Sequence, residues 1–346
     1  MTTSLQPENK APQTASDKAL RVTGSVDWMP VALIPLLMLV FMPFISTSTW
    51  VTLTVAGFAM GMIIFVIASG LTLIFGLMDV FNFAHGIFIA LGAYVALSVL
   101  SRLEPWTSVD DLGLNLAALA LAALAAMLVA GLAGLVFERV LIRLIYGQHL
   151  KQILITVGGI FIGQELIKMQ WGTEHMAMPL PTALSGSLAL GAASIEKYRL
   201  LAIVVGLVVY GCLIFLLNRT KLGLLIRAGV QDREMVESFG YRIRRLFIGV
   251  FMAGSALAGL GGVMWGLYQQ DIMPEMGSQV TVLVFMVIII GGLGSTSGSF
   301  LGAVLLGLLA NYAGFLVPKM ALFSNILLMV AVLFWRPQGL FKISNR

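Results

Sequence analysis

The chain has 346 residues, of which 59% are apolar and 11% charged, and a formal net charge of +5. A soluble domain carries roughly 25% charged residues, so this composition excludes a water-soluble core and points to a chain solvated by lipid. A single cysteine, Cys212, excludes a disulfide framework and a thiolate metal site. The basic residues flank apolar runs, which is the pattern of membrane retention and not of nucleic-acid binding.

Residues 1–29 mix Pro, Gln, Ser and Thr with sparse charges and read as a flexible cytoplasmic tail. The first apolar run begins too far in for a removed signal peptide and has no obvious small-residue cleavage site, so it reads as a retained span. Ten apolar segments follow, near 31–46, 53–77, 85–101, 113–136, 150–171, 199–218, 246–268, 280–292, 299–317 and 320–335. About 20 apolar residues cross a hydrocarbon layer of roughly 30 Å. The run 280–292 reaches only about 20 Å at helical rise and is a half-helix candidate. The expected fold is an all-α integral membrane protein with about eight to ten transmembrane or half-spanning helices, an internal repeat and broken helices. The membrane domain covers 30–340, and 341–346 form a second short cytoplasmic tail.

Cationic loops stay on the cytoplasmic side. Arg139, Arg143, Lys151, Arg219, Lys221, Arg227, Arg233, Arg242, Arg244, Arg245 and Arg336 fall in alternate loops, while Glu104, Asp110, Asp111, Glu174, Asp271 and Glu275 gather in the others. Both termini and the loop 218–245 are therefore expected in the cytoplasm.

Two places interrupt the helical pattern. One runs from Gly76 through Asp79, Asn82, His85 and Gly86; the other from Gly291 through Gly294, Ser295, Thr296, Ser297 and Gly298. Pairing His85-Gly86 with Ser297-Gly298 also pairs Phe88 with Phe300, a weak internal repeat. In each, a helix rich in small residues starts from a polar or glycine cluster, as in transporters built from repeated halves. Asn82 and Ser295–Ser297 are positioned to cap the helices that follow, and freed N–H groups there favour a carboxylate or another acceptor-rich solute. An equally weighted reading makes Asn82 and His85 a simple cap at the cytoplasmic rim. Thr72, Asn82, His85, Gly86, Tyr94, Gly294, Ser295 and Ser297 are the candidate pathway residues.

The loop 218–245 contains a short amphipathic helix. Ile226, Val230, Met235, Val236 and Phe239 fall roughly on one stripe, the opposite face is charged, and Gly240 is placed to end the helix. Its acidic residues and its confinement between spans favour docking into a protein groove over floating on headgroups. Arg227, Gln231, Asp232, Arg233, Glu234, Met235, Val236, Phe239 and Gly240 are the candidate docking residues. The outer segment 172–198 is either a docking surface or an inert tether.

Gly70-Leu-Thr-Leu-Ile-Phe-Gly76, Asn82-Phe-Ala-His-Gly86, Leu91-Gly-Ala-Tyr94, Arg227-Ala-Gly-Val-Gln231-Asp-Arg-Glu-Met235 through Gly240, and Gly291-Gly-Leu-Gly-Ser295 with Gly298 stand in order on the expected segments. Together they resemble the permease subunits of branched-chain amino acid ABC transporters, the first of the two permease types, over roughly 50–340. The resemblance implies a bacterial inner-membrane importer with a second permease, two cytoplasmic ATPases and an extracytoplasmic solute-binding protein. It also implies that the segment 227–240 couples to an ATPase. Members of the family often carry an acidic residue where this chain has Ile87 and a proline where it has Ser297, which leaves the solute open among branched-chain amino acids, urea, short amides and aromatic acids.

The G-x-x-x-x-G-K-[ST] phosphate loop is absent, so ATP belongs to partner subunits and no cofactor is expected on this chain. No nucleophile–base pair, paired carboxylates or metal cluster appears, and His85, His149 and His175 fall in separate places, so an enzyme is not expected. The alternative is a self-sufficient channel or secondary transporter. Such a protein wants an ionisable residue in a span, and the candidates identified, Asp79, Glu165 and Lys168, sit near span ends.

Overall fold

A computed structural model describes residues 28–231 and 233–341, with the backbone alone at Leu190, Arg227, Val230, Gln231, Arg233, Glu234 and Leu322. The tails expected at 1–29 and 341–346 lie outside it except for Trp28, Met29 and Phe341.

Every expected apolar segment is a helix. In chain order these are α1 (Met29–Phe41), α2 (Thr47–Met78), α3 (His85–Arg102), the single turn α4 (Glu104–Thr107), α5 (Leu112–Val140), α6 (His149–Trp171) and α7 (Lys197–Arg219). Then come the short α8 (Lys221–Gln231) and α9 (Arg233–Ser238), followed by α10 (Ile243–Gln269), α11 (Met276–Gly291), α12 (Thr296–Leu316) and α13 (Ala321–Trp335). Among the described residues, α2, α3, α5, α6, α7, α10 and α12 are long and apolar enough to cross a membrane, while stretches 29–44, 276–291 and 323–335 are shorter apolar helices.

Helix α2 is the axis of the bundle: 89% of its most apolar stretch is buried, against 17% for α7 at the periphery. In lipid no hydrophobic force drives apolar helices together, so close approach of backbones and interhelical hydrogen bonds must do so. Gly61 is such an approach, since a Cβ there would lie 2.8 Å from the carbonyl oxygen of Ala303 on α12. Along the same seam the Thr54 and Tyr312 hydroxyls are 2.7 Å apart, and those of Thr72 and Ser299 2.8 Å apart. Leu128, Leu154, Phe161 and Val208 on α5, α6 and α7 stay exposed, as an outer surface facing acyl chains requires.

The outer segment 172–198 is folded. β1 (Met176–Ala177) pairs with β4 (Asp271–Ile272), and β2 (Ser187–Leu190) with β3 (Ala193–Glu196), both antiparallel. The Ala183 N–H donates to the Asn115 side chain, at 2.9 Å, and the Thr182 hydroxyl to the carbonyl of Thr107. These bonds tie the segment to the end of the bundle near α4 and α5, which disfavours a tether.

Candidate solute pathway and coupling segment

Helix α2 stops at Asp79, whose backbone is left-handed (φ 53°). The chain then runs non-helically beside α6, which serves as a ruler. Asp79 lies 3.8 Å from His149, the first residue of α6, and the Phe81 N–H donates to Gln152. Gly159 faces Ala84, and Gly163 faces Ile87. At 1.5 Å per residue, the path from His149 to Gly159 is about 15 Å of climb. Helix α3 therefore starts beside the middle of α6 and not beside its first turn. Its first residue agrees, because His85 Nε2 is 3.1 Å from the carbonyl oxygen of Ile67, well back along α2. His85 thus packs beside the interior of α2 and not beside its end.

A second element enters from the opposite side. Helix α10 stops at Gln270 (φ 56°), which with Asp79 makes the two non-glycine residues of positive φ among those described. After β4 and a turn, α11 begins at Met276, at the same separation from Gln270 as His85 from Asp79. The Gln164 amide donates to the Ser278 hydroxyl at 2.9 Å, which places the start of α11 beside the same part of α6. The first turns of α3 and α11 meet: a Cβ on Gly86 would stand 2.6 Å from the carbonyl oxygen of Gly277. This is an inverted pair of broken helices. This pair is not the one read from the sequence, which matched His85-Gly86 with Ser297-Gly298.

The break at Gly291–Thr296 differs from the reading that paired it with Asn82–Gly86. It is a tight helical hairpin, with Gly292 (φ 101°) and Gly294 (φ 81°) turning the chain and the Ser295 hydroxyl capping α12 by accepting from the Gly298 N–H at 3.1 Å. Gly294 packs against Gly76 near the end of α2, and Leu340 and Phe341 donate to the last carbonyls of α11. Glycine-rich turns and re-entrant chain look alike in sequence, since both break a helix.

The eight candidate pathway residues consequently separate. Asn82, His85 and Gly86 share the junction of α3 and α11. Thr72, Gly294, Ser295 and Ser297 line the seams of α12 with α2 and α7; Ser297 accepts from the Tyr210 hydroxyl at 3.3 Å. Tyr94 is farther along α3, buried, its ring 5.4 Å from that of Trp171 and its hydroxyl unpartnered.

Asn82 is the anomaly of the junction. It is fully buried, neither its amide oxygen nor its nitrogen has a hydrogen-bond partner, and it lines a cavity of about 540 Å³ walled by Leu71, Phe75, Phe81, Phe83, Phe285 and Met286. An unpaired buried amide costs about 1–3 kcal/mol, and its polar atoms sit just behind a cavity lining that is almost wholly apolar. Two features escaped sequence reading. Gly277, spaced from Gln270 as Gly86 is from Asp79, carried a faint signal. Glu138, a buried carboxylate inside α5 that accepts from the Tyr146 hydroxyl at 2.7 Å, was overlooked among the ionisable residues.

The expected amphipathic segment is helical on both sides of Asp232, over Lys221–Gln231 and Arg233–Ser238; Asp232 itself lies outside the described residues, as do the side chains of Arg227, Gln231, Arg233 and Glu234. Gly240 (φ 84°) ends the second, as expected. The apolar stripe is split. Ile226 and Val236 are buried, lining a groove of about 630 Å³ with Leu217, Leu246 and Val250, whereas Met235 and Phe239 are exposed, Phe239 to 71%. One set fastens the segment to its own spans and the other is presented outward.

The description of a family model, branched-chain amino acid transport system permease component, matches residues 53–334. The chain is 29% identical over 297 residues to the high-affinity branched-chain amino acid transport system permease protein BraD of Pseudomonas aeruginosa, covering 83% of this chain and 94% of that protein. It is 25% identical to the LivH permease protein of Escherichia coli, covering 82% of this chain and 92% of that one. A shorter similarity, 28% over 139 residues, covering 38% of this chain and 32% of its relative, links it to the LivM permease protein of Escherichia coli. No solved structure matches. The chain belongs to the permease components of branched-chain amino acid transport systems and is a multi-pass membrane permease subunit of an ABC importer.

Proposed function

We propose that this permease passes its solute through the junction of α3 and α11, with Asn82 as the polar guide, by alternating access driven from α8 and α9. The observation that carries the proposal is the unpartnered Asn82 amide buried directly behind the apolar wall of this cavity, where a small side-chain movement would bring it to a solute. A small solute with an apolar side chain and a hydrogen-bonding group matches that lining, which supports branched-chain amino acids ahead of urea or short amides. Conduction needs weak binding, because the solute must also leave.

Energy comes from outside the chain. Two cytoplasmic ATPases bind ATP and carry α8 and α9 with them; a second, related permease completes the membrane unit, and a solute-binding protein delivers cargo to the face bearing the folded segment 172–198. The similarity to both the LivH and LivM permease proteins supports a related second permease. The location is the bacterial inner membrane, with both termini and Arg242–Arg245 cytoplasmic by charge.

The test is uptake of radiolabelled leucine into proteoliposomes holding the whole complex. Asn82→Leu should sharply reduce uptake while the complex assembles and hydrolyses ATP. Undiminished uptake by the variant would make Asn82 a structural residue.

A further inference from the structure

The end of the bundle that carries α8 and α9 has a second cavity, a cleft of about 760 Å³ between the end of α5 and the start of α10. Arg139, Arg143, Arg242, Arg244 and Arg245 stand around it, with Tyr241 on one wall and Glu237 as the acidic side chain of the lining. All five arginines are exposed, and none forms an ion pair among the described residues. Five guanidinium groups around one cleft with a single carboxylate leave an excess of positive charge, and their planar forks match the paired oxygens of a phosphate. A multivalent anion would relieve the repulsion.

The neighbouring surface decides which anion. Val136, Val140 and Leu144 are 60%, 58% and 74% exposed. Val136 and Val140 lie one turn apart, interleaved with Arg139 and followed by Arg143 and Leu144, so an apolar strip runs into the basic cleft at the end of a span. Acyl chains fit the strip and phosphates fit the cleft. A soluble acidic protein would leave the strip uncovered.

We propose that this cleft binds the headgroup of an anionic phospholipid, with a two-phosphate lipid favoured over a one-phosphate lipid by the number of arginines. The wall opposite α5 is Gly240–Ile243, directly after α9, so an occupied cleft would also hold the coupling segment in place. This last step rests on the coupling role of α8 and α9; lipid binding does not.

The experiment uses the full complex, stripped of lipid in detergent and titrated with diphosphatidylglycerol or phosphatidylcholine under native mass spectrometry. Wild type should retain the anionic lipid selectively. Arg139→Gln with Arg143→Gln should weaken it about 30-fold, the effect of two basic residues at a headgroup surface, and Arg242→Gln with Arg245→Gln should act in the same direction. Lys319→Gln, outside the cleft, should change nothing. Inorganic phosphate should fail to displace the lipid, because it cannot cover Val136, Val140 and Leu144. Equal retention of the two lipids, unchanged binding in both double variants, or displacement by phosphate would overturn the proposal. So would loss of the ATPase subunit in the double variants with lipid binding intact, which would make the cleft a protein-docking surface. Circular dichroism and size exclusion confirm that each variant is folded.

Discussion

Gly86 and Gly277 cross with their backbones in contact, each at the start of a helix that begins inside the bundle. A methyl group on Gly86 would lie 2.6 Å from both the carbonyl oxygen of Gly277 and the hydroxyl of Thr281. That leaves no room for side chains, and it locks the first turns of α3 and α11 into one unit beside Asn82.

Gly86→Ala should therefore be more damaging than its size implies. Overpacking a tight contact costs about 1–3 kcal/mol, and both neighbours here are constrained, one being backbone and the other a hydroxyl that donates to the Gly277 carbonyl at 2.7 Å. Lower thermal stability in detergent is the expected result, with reduced uptake. Gly158→Ala, where a Cβ meets nothing within 4 Å, is the control and should behave as wild type.

Asn82→Leu separates a pathway residue from a structural one. The wild-type amide is buried without partners, so its removal should leave thermal stability unchanged or raise it by about 1–2 kcal/mol. Transport should fall at least tenfold. A loss of stability in parallel with transport would point to hydrogen bonds that hold the fold.

Phe239→Asp and Val236→Asp should part company. Phe239 is exposed, so its charge should abolish co-purification of the ATPase with normal insertion of the permease. Val236 is buried against its own spans, and a carboxylate there should disorder α8 and α9 themselves, seen as new protease cleavage between Thr220 and Ile243.

At the opposite face, His175 Nδ1 lies 2.8 Å from Asp271, joining the loop before β1 to β4. That hydrogen bond and the nearby charge raise the His175 pKa above its ordinary value near 6.5. A raised folded pKa means that the contribution is fully present below about pH 6.5 and is lost as pH rises through the folded value. Amide exchange at Met176 and Ile272 should quicken as pH is raised through the His175 titration, beyond the intrinsic increase. Asp271→Asn should remove that extra dependence.

The architecture was legible in the sequence because lipid imposes a simple rule, and each apolar run became a helix. Depth was not legible. Asn82 and Ser295 both follow a helix end and both look like caps, yet Ser295 caps a hairpin beside the end of α2 while Asn82 climbs beside α6 to the middle of the bundle. The decisive contacts, Ala84 with Gly159 and Gly86 with Gly277, join residues far apart in the chain. The coupling segment showed the converse limit: its amphipathic period was real, but Val236 and Phe239 share a stripe in sequence and face different partners in space.

The most direct measurement is leucine uptake into proteoliposomes containing this chain alone or the full set of permeases, ATPases and binding protein, with and without ATP. Uptake should require every component and ATP, and should disappear with Phe239→Asp. Leucine uptake by this chain alone, indifferent to ATP, would contradict the account.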